Sequence, residues 1–167
     1  MSPDQAIAYM ELVRDKAARA APDCAMAMGR AHRDHLVNVT LLRSGTHPPV
    51  TRTPSAPGSP PAQMTGRLRN SVRCTRGLGG GTYATSLVSA NTIYAATQEW
   101  GGVHHGNPDM FLWLGYIRCH EVKMRGWRKP VVNIPERPYM RPSRDDVIAD
   151  GAVVKAGNAA FMRQVFG

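Results

Sequence analysis

Between Asp34 and Glu99 the chain has no acidic residue, while Arg43, Arg52, Arg67, Arg69, Arg73 and Arg76 all fall inside that gap. A one-signed middle segment in a chain of formal charge +9 is drawn to polyanions or acidic protein faces, and says nothing of fold. A solvated, arginine-rich surface fits the same pattern as well as an electropositive contact face does. Cysteine is scarce: Cys24, Cys74 and Cys119 are odd in number, widely spaced and form no CxxC pair. That spacing argues against a disulfide framework and points to a reducing compartment during folding. Long apolar runs are missing too. The longest, 110–117, is far too short to cross a bilayer, and Met1-Ser2-Pro3-Asp4 opens without a basic or apolar leader, so synthesis and folding in the cytosol are expected.

Catalytic signatures are equally sparse. No GxSxG elbow, P-loop, dinucleotide fingerprint or catalytic-cysteine signature occurs, and only 12 carboxylates are present to form an acid/base pair. His32 and His35 lie three apart on an expected helix but lack the HExxH spacing. His104-His105 and Cys119-His120 are neighbours that point to opposite sides of an extended segment, so each pair offers at most one ligand. No enzyme activity, metal or cofactor is expected. Glu99 and Glu136 are isolated acids for which capping a backbone nitrogen, or pairing with an arginine, outweighs general acid/base work.

What is present suits one domain. At 167 residues and 43% hydrophobic the chain can build one core, and its 13 prolines and 16 glycines imply loops or arms around it. Three segments are expected: 1–43 helical, 44–62 a Pro-rich arm or loop, and 63–167 an α+β core ending in a helix. Over 4–43, Ile7, Met10, Val13 and Ala17 form one stripe, and Cys24, Met28, Ala31, His35, Val39 and Leu42 continue it at spacings of three and four. Pro22 between the stripes predicts two helices or one kinked helix, with Asp15 and Arg19 pairing at i,i+4.

The proline stretch cannot ladder or coil, and reads either as a surface loop or as an arm that orders against a partner. Thr65 is placed to cap a short helix through Ser71 that runs into a strand over 72–76. The alternation of Tyr83, Thr85 and Leu87 with Ala84, Ser86 and Val88 predicts an antiparallel hairpin closed by Gly77-Leu78-Gly79-Gly80-Gly81. Those glycines are no phosphate cradle, because no Lys-Ser/Thr follows and the loop leads into a strand. A short helix is expected over 91–100, stopped by Gly101-Gly102, then loop over 103–109. The stretch 110–124 fits buried strand or helix alike. Val131, Val132 and Ile134 read as a strand, and a last helix is expected over 143–166, headed by Ser143. The resulting class is α+β: a small antiparallel sheet packed with a long N-terminal helix and a C-terminal helix, plus an extended arm.

Arg67, Arg69, Arg73 and Arg76 sit close enough to form one basic patch, the candidate DNA-facing surface. Aromatic stacking platforms are missing among them and no recognition helix is evident, so only loose phosphate contact is expected.

Three blocks carry a resemblance: Thr65-Gly66-Arg67-Leu68-Arg69-Asn70-Ser71-Val72, Tyr94-Ala95-Ala96-Thr97-Gln98-Glu99-Trp100-Gly101-Gly102, and Ile134-Pro135-Glu136-Arg137-Pro138-Tyr139-Met140-Arg141-Pro142-Ser143. In this order they resemble the tail-component and virion-morphogenesis families of tailed bacteriophages. Those families show Thr-Gly-x-Leu-x-x-Ser, then Tyr-Ala before Glu-x-Gly, then Pro-x-Arg-Pro-Phe/Tyr-Leu/Met-x-Pro ahead of the last helix. The resemblance spans 65–143, about half the chain. It implies a small antiparallel sheet packed with helices, and a non-enzymatic subunit of a ring, naturally a hexamer, between head connector and tail tube. Implied partners are further copies of itself, head-closure or adaptor proteins, the tail tube and passing DNA, with no membrane. The implied location is the virion neck or tail, after assembly in the host cytoplasm. Arg67, Arg69, Tyr94, Glu99, Trp100, Arg137, Tyr139, Met140 and Arg141 become candidate subunit or partner contacts, with Arg137 on its stiff Pro-flanked segment able to reach Glu99 or a neighbour. The arm and the long insert between Gly102 and Val131 depart from the family pattern. They leave tail terminator, head closure and the joint between them as alternatives. A basic, sequence-independent nucleic-acid-binding protein is the competing class, and a small metal-dependent nuclease or hydrolase a third.

Overall fold

A computed structural model describes residues 2–44, 55–63, 65–81, 83–105 and 131–167. The stretch 110–124, Cys119, His120, Arg52 and the first part of the proline segment lie outside the described residues. The architecture is α+β, with a long N-terminal helix, antiparallel hairpin and C-terminal helices.

Helix α1 spans Pro3–Asn38, 36 residues or about 54 Å. Its start is a capping box: the Ser2 hydroxyl accepts from the Gln5 N–H at 3.3 Å, and the Gln5 side chain accepts from the Ser2 N–H at 2.9 Å. Pro3 occupies the first turn, where its missing N–H costs nothing, and Asp4 complements the dipole. Of the two expectations at Pro22, two helices do not form, and one helix runs through it. An interior proline costs about 3 kcal/mol, which packing on both sides of it offsets. Ala20, Ala25, Gly29 and Leu36 are buried, and α1 packs against the last helix and against the hairpin. Arg14, rather than Arg19, bonds Asp15.

After a 3-10 turn at Thr40–Leu42, helix α2 covers Arg67–Ser71. Its N-cap is Gly66 at φ 71°, one residue beyond the expected Thr65, whose hydroxyl sits at a marginal 3.5 Å from the Arg67 N–H. Strands β1 (Val72–Gly80) and β2 (Tyr83–Ala90) form the expected antiparallel hairpin, from Val72↔Ala90 to Gly80↔Tyr83 with a register shift between Arg76 and Gly79, but Gly77–Gly80, expected in the closing loop, belong to β1. The hairpin lies on α1 where Gly29 leaves room. A Cβ there would overlap the Ser86 hydroxyl and stand 2.7 Å from the Cys74 sulfur.

Helix α3 is shorter than expected, Ala95–Trp100, and stops at Gly101, φ 67°. A Cβ on Gly101 would lie 2.8 Å from both the Glu136 nitrogen and the Ile134 carbonyl oxygen, so glycine is needed on two counts. Where loop was expected after Gly102, strand β3 (Gly102–His105) pairs antiparallel with β4 (Val131–Ile134), from Gly102↔Ile134 to His105↔Val131.

The single expected C-terminal helix is two: α4, Met140–Ala149, and α5, Ala152–Phe166, separated at Gly151 with φ 64°. Ser143 does not head the helix. It is buried inside α4, 3.1 Å from His35 Nδ1. The core is Leu36, Leu41, Val72 and Tyr139, with Val37, Leu68, Val88, Ala90 and Met140 packed around it.

Candidate functional site

The second and third sequence blocks meet at one carboxylate. Glu99, in the last turn of α3, is buried, and its Oε2 accepts the backbone N–H groups of Tyr139 at 2.7 Å and Met140 at 2.9 Å. Its Oε1 accepts the Arg141 N–H and the Arg141 Nε, each at 3.1 Å. These N–H groups open α4 and have no acceptor within that helix, so a side chain forty residues away caps it. No residue of α4's own N-cap position does so. Burial opposes ionisation of Glu99. The three backbone donors and the Arg141 guanidinium outweigh it and hold the pKa below its ordinary value.

Arg141 completes the clasp. Its Nη2 bonds the Glu99 carbonyl and Glu136 Oε2, both at 3.1 Å, and its guanidinium lies over the Trp100 ring at 4.3 Å from the centroid. Trp100 remains 65% exposed, so an aromatic face backed by a cation stands on the surface. Tyr139 is buried beneath, with its hydroxyl donating to the Ala95 carbonyl at 3.3 Å. Burial first, and the Glu99 charge second, push its pKa up.

Arg137 does not reach Glu99, because Arg141 fills that role. The Arg137 N–H donates to the Gln98 carbonyl at 2.7 Å and its Nε to the Ser55 carbonyl at 2.9 Å, tying the end of the proline segment to the clasp. Gly58 N–H to the Glu136 carbonyl, and the Ser44 hydroxyl to the Pro60 carbonyl, fasten the rest of that stretch. Glu99, Arg137 and Tyr139 therefore serve the interior of the chain itself. Tyr94, Met140 and Arg141 are half-buried beside them, and Trp100 and Arg67 reach the surface.

The first block is also a cap. Arg69 donates from Nε to the Val37 carbonyl at 3.0 Å and from Nη2 to Asn38 at 3.3 Å, satisfying the C-terminal end of α1. Arg73 turns to the Asn70 and Val72 carbonyls, and Arg76 pairs with Asp23 at 2.9 Å. Arg69 and Arg73, with Arg33, do line one open groove of about 500 Å³ beside Val37 and Val72. Arg76 lies elsewhere, so the four expected DNA-facing arginines are split.

No family model, curated protein or solved structure matches the chain. Among the described residues no group of three His, Cys, Asp or Glu side chains is placed to hold a metal ion, and no helix is long and apolar enough to cross a membrane. His35 is engaged with Ser143 and Thr40, while burial, then His35 and Arg144, hold the His32 pKa below its ordinary value. Cys24 and Cys74 are free thiols. The Arg141–Trp100 stack was hidden in the sequence because the two residues meet only once Glu99 has fixed the start of α4. A second hidden feature is the apolar exposure of early α1: Ile7, Tyr9, Met10 and Leu12 are each more than half exposed.

Proposed function

We propose that the chain is a structural neck or tail-completion subunit of a tailed bacteriophage, a tail terminator or head–tail joining protein. It acts as a ring between head connector and tail tube. The observation that carries this reading is the fate of the acid in the second block. Glu99 is saturated by four donors from the third block, so the polar residues that look chemically active are spent on holding a rigid scaffold. Its depressed pKa leaves Glu99 no proton to give as an acid, and the four donors on its oxygens stand where a proton would be taken up. Among the described residues, the exposed Trp100 face and the apolar start of α1 are two surfaces through which the chain would act.

A ring needs a head-to-tail contact between two different patches, repeated until the rotation closes. Trp100 with Arg141 offers one such patch, and early α1 another. The competing reading, a nucleic-acid-binding protein, is weakened by the internal bonds of Arg69, Arg73 and Arg76. Loose contact with passing phosphates remains compatible with the ring. Electron microscopy of the intact particle, with the chain labelled at its C-terminus, tests the proposal. Density at the neck in a closed ring is the expected result. Absence of the chain from finished virions, or turnover of a substrate by the pure polypeptide, would overturn it.

A further inference from the structure

The first turns of α1 stand clear of the rest of the subunit. From residue 3 to residue 16 nearly every side chain is exposed, and the Lys16 amino group marks the edge of the packed part by bonding the Val165 carbonyl at 3.2 Å. Residues 3–13 carry two acids, Asp4 and Glu11, and no base, in a chain whose formal charge is +9. Asp4, Ile7, Ala8 and Glu11 follow at spacings of three and four, so they form one stripe with Ile7 54% exposed between the charges. Among the described residues neither Asp4 nor Glu11 has an ion-pair partner.

A complementary surface exists on the same chain. Between the middle of α1 and the end of α5 runs a groove of about 210 Å³ lined by Met26, Ala27 and Ala160 together with Arg30, Arg163 and Arg76. Among the described residues the exposed Arg30 and Arg163 have no ion-pair partner. The acid in the groove, Asp23, is already held by Arg76 at 2.9 Å and Gln164 at 3.0 Å. The stripe cannot fold back on this groove. Asp4 and Met26 belong to one continuous helix and lie about 33 Å apart along it.

We propose that residues 3–13 of one copy dock in the Arg30/Arg163 groove of a second copy, with Asp4 and Glu11 meeting the two arginines and Ile7 meeting Met26 and the alanines. This rests on the ring reading and names its subunit contact. The two patches are different surfaces of one chain, so the contact is head-to-tail and propagates from copy to copy. Opposite charges at its edge set the register and exclude the like-charged alternative, groove against groove.

A charge exchange tests it in the full chain. The variants are Asp4→Lys with Glu11→Lys, and Arg30→Glu with Arg163→Glu. Self-association is read by sedimentation velocity and mass photometry, and folding by circular dichroism. Each variant alone is expected to lose about tenfold or more in association constant, and an equimolar mixture to regain it, because each supplies the face the other has inverted. If Arg163→Glu weakens the last turn of α5, Arg30→Glu mixed with Glu11→Lys repeats the test. The proposal is overturned by wild-type association of either variant, by a mixture that fails to recover, or by a wild-type chain that stays monomeric at the highest soluble concentration. Rings that persist in both variants would sink this contact alone and give the groove to another occupant. Absence of the chain from particle necks would sink the proposed function alone.

Discussion

The Glu99 carboxylate lies 2.7 Å from the backbone nitrogen of Tyr139, forty residues later in the chain, and caps a helix to which it does not belong. Two distant segments are thereby joined with the geometry of a local N-cap, and the join fixes where α4 begins.

Removing that carboxylate has a predictable cost. Glu99→Ala leaves three buried or half-buried N–H groups and the Arg141 Nε without their acceptor, while Arg141 Nη2 keeps Glu136 and the residue-99 carbonyl, and should destabilise the fold by about 2–4 kcal/mol. Glu99→Gln keeps one acceptor oxygen and should cost about half as much. Urea unfolding at neutral pH measures both, with an unchanged m-value showing that the native fold persists.

The same group sets an acid limit. Its folded pKa is below the ordinary 4.5, so below that pH the unfolded state binds the extra proton first. The stabilisation is complete above about 4.5 and is lost as pH falls through the folded value. His32 adds a second slope at higher pH. Its folded pKa is below 6.5, so its contribution is complete above 6.5 and declines as pH falls from there toward the folded value. Stability measured from pH 7 to pH 4 should fall in two stages, with Glu99→Gln flattening the lower and His32→Gln the upper.

Gly29 is where helix and hairpin come closest. Gly29→Ala gains helix propensity, but its methyl group meets Ser86 and Cys74 inside contact distance, and Gly29→Val is worse. Net losses of about 1 kcal/mol for alanine and about 3 for valine are expected from thermal unfolding. A stabilised alanine variant would show that the hairpin is free to move away.

The basic segment should divide by role. Replacing Arg69 with alanine removes the cap on α1 and should cost about 1 kcal/mol of stability. If DNA passes near this face, neutralising Arg67 and Arg73 should reduce the salt dependence of binding in proportion to the charges removed, as titrations at several salt concentrations would show.

How much of this was legible depends on whether a signal is local. The stripe through Ile7, Met10 and Val13, and the alternation from Tyr83 to Val88, are short-range patterns, and both elements formed where expected. Pro22 is also a local signal, but α1 is overruled there by its tertiary packing. Strand β3 was read as loop because its partner begins only at Val131, and pairing across such a separation leaves no mark on either segment alone. Glu99 as a cap was the bland expectation and it held. Arg137, on its Pro-flanked segment, was expected to reach Glu99 or a neighbour, and Arg141 is the arginine that meets Glu99. Once α4 begins at Met140, Arg141 stands in the first turn facing Glu99, and Arg137 falls outside the helix to bind Ser55.

The ladder between β3 and β4 has an evolutionary side. His105 and Val131 are paired across it, so the intervening chain departs and returns at neighbouring positions, as the tip of any hairpin does. Such a place tolerates lengthening, trimming or exchange at little entropic cost, since closing a loop depends only weakly on its length. The clasp sits at the other end of this ladder, beyond Gly102 and Ile134.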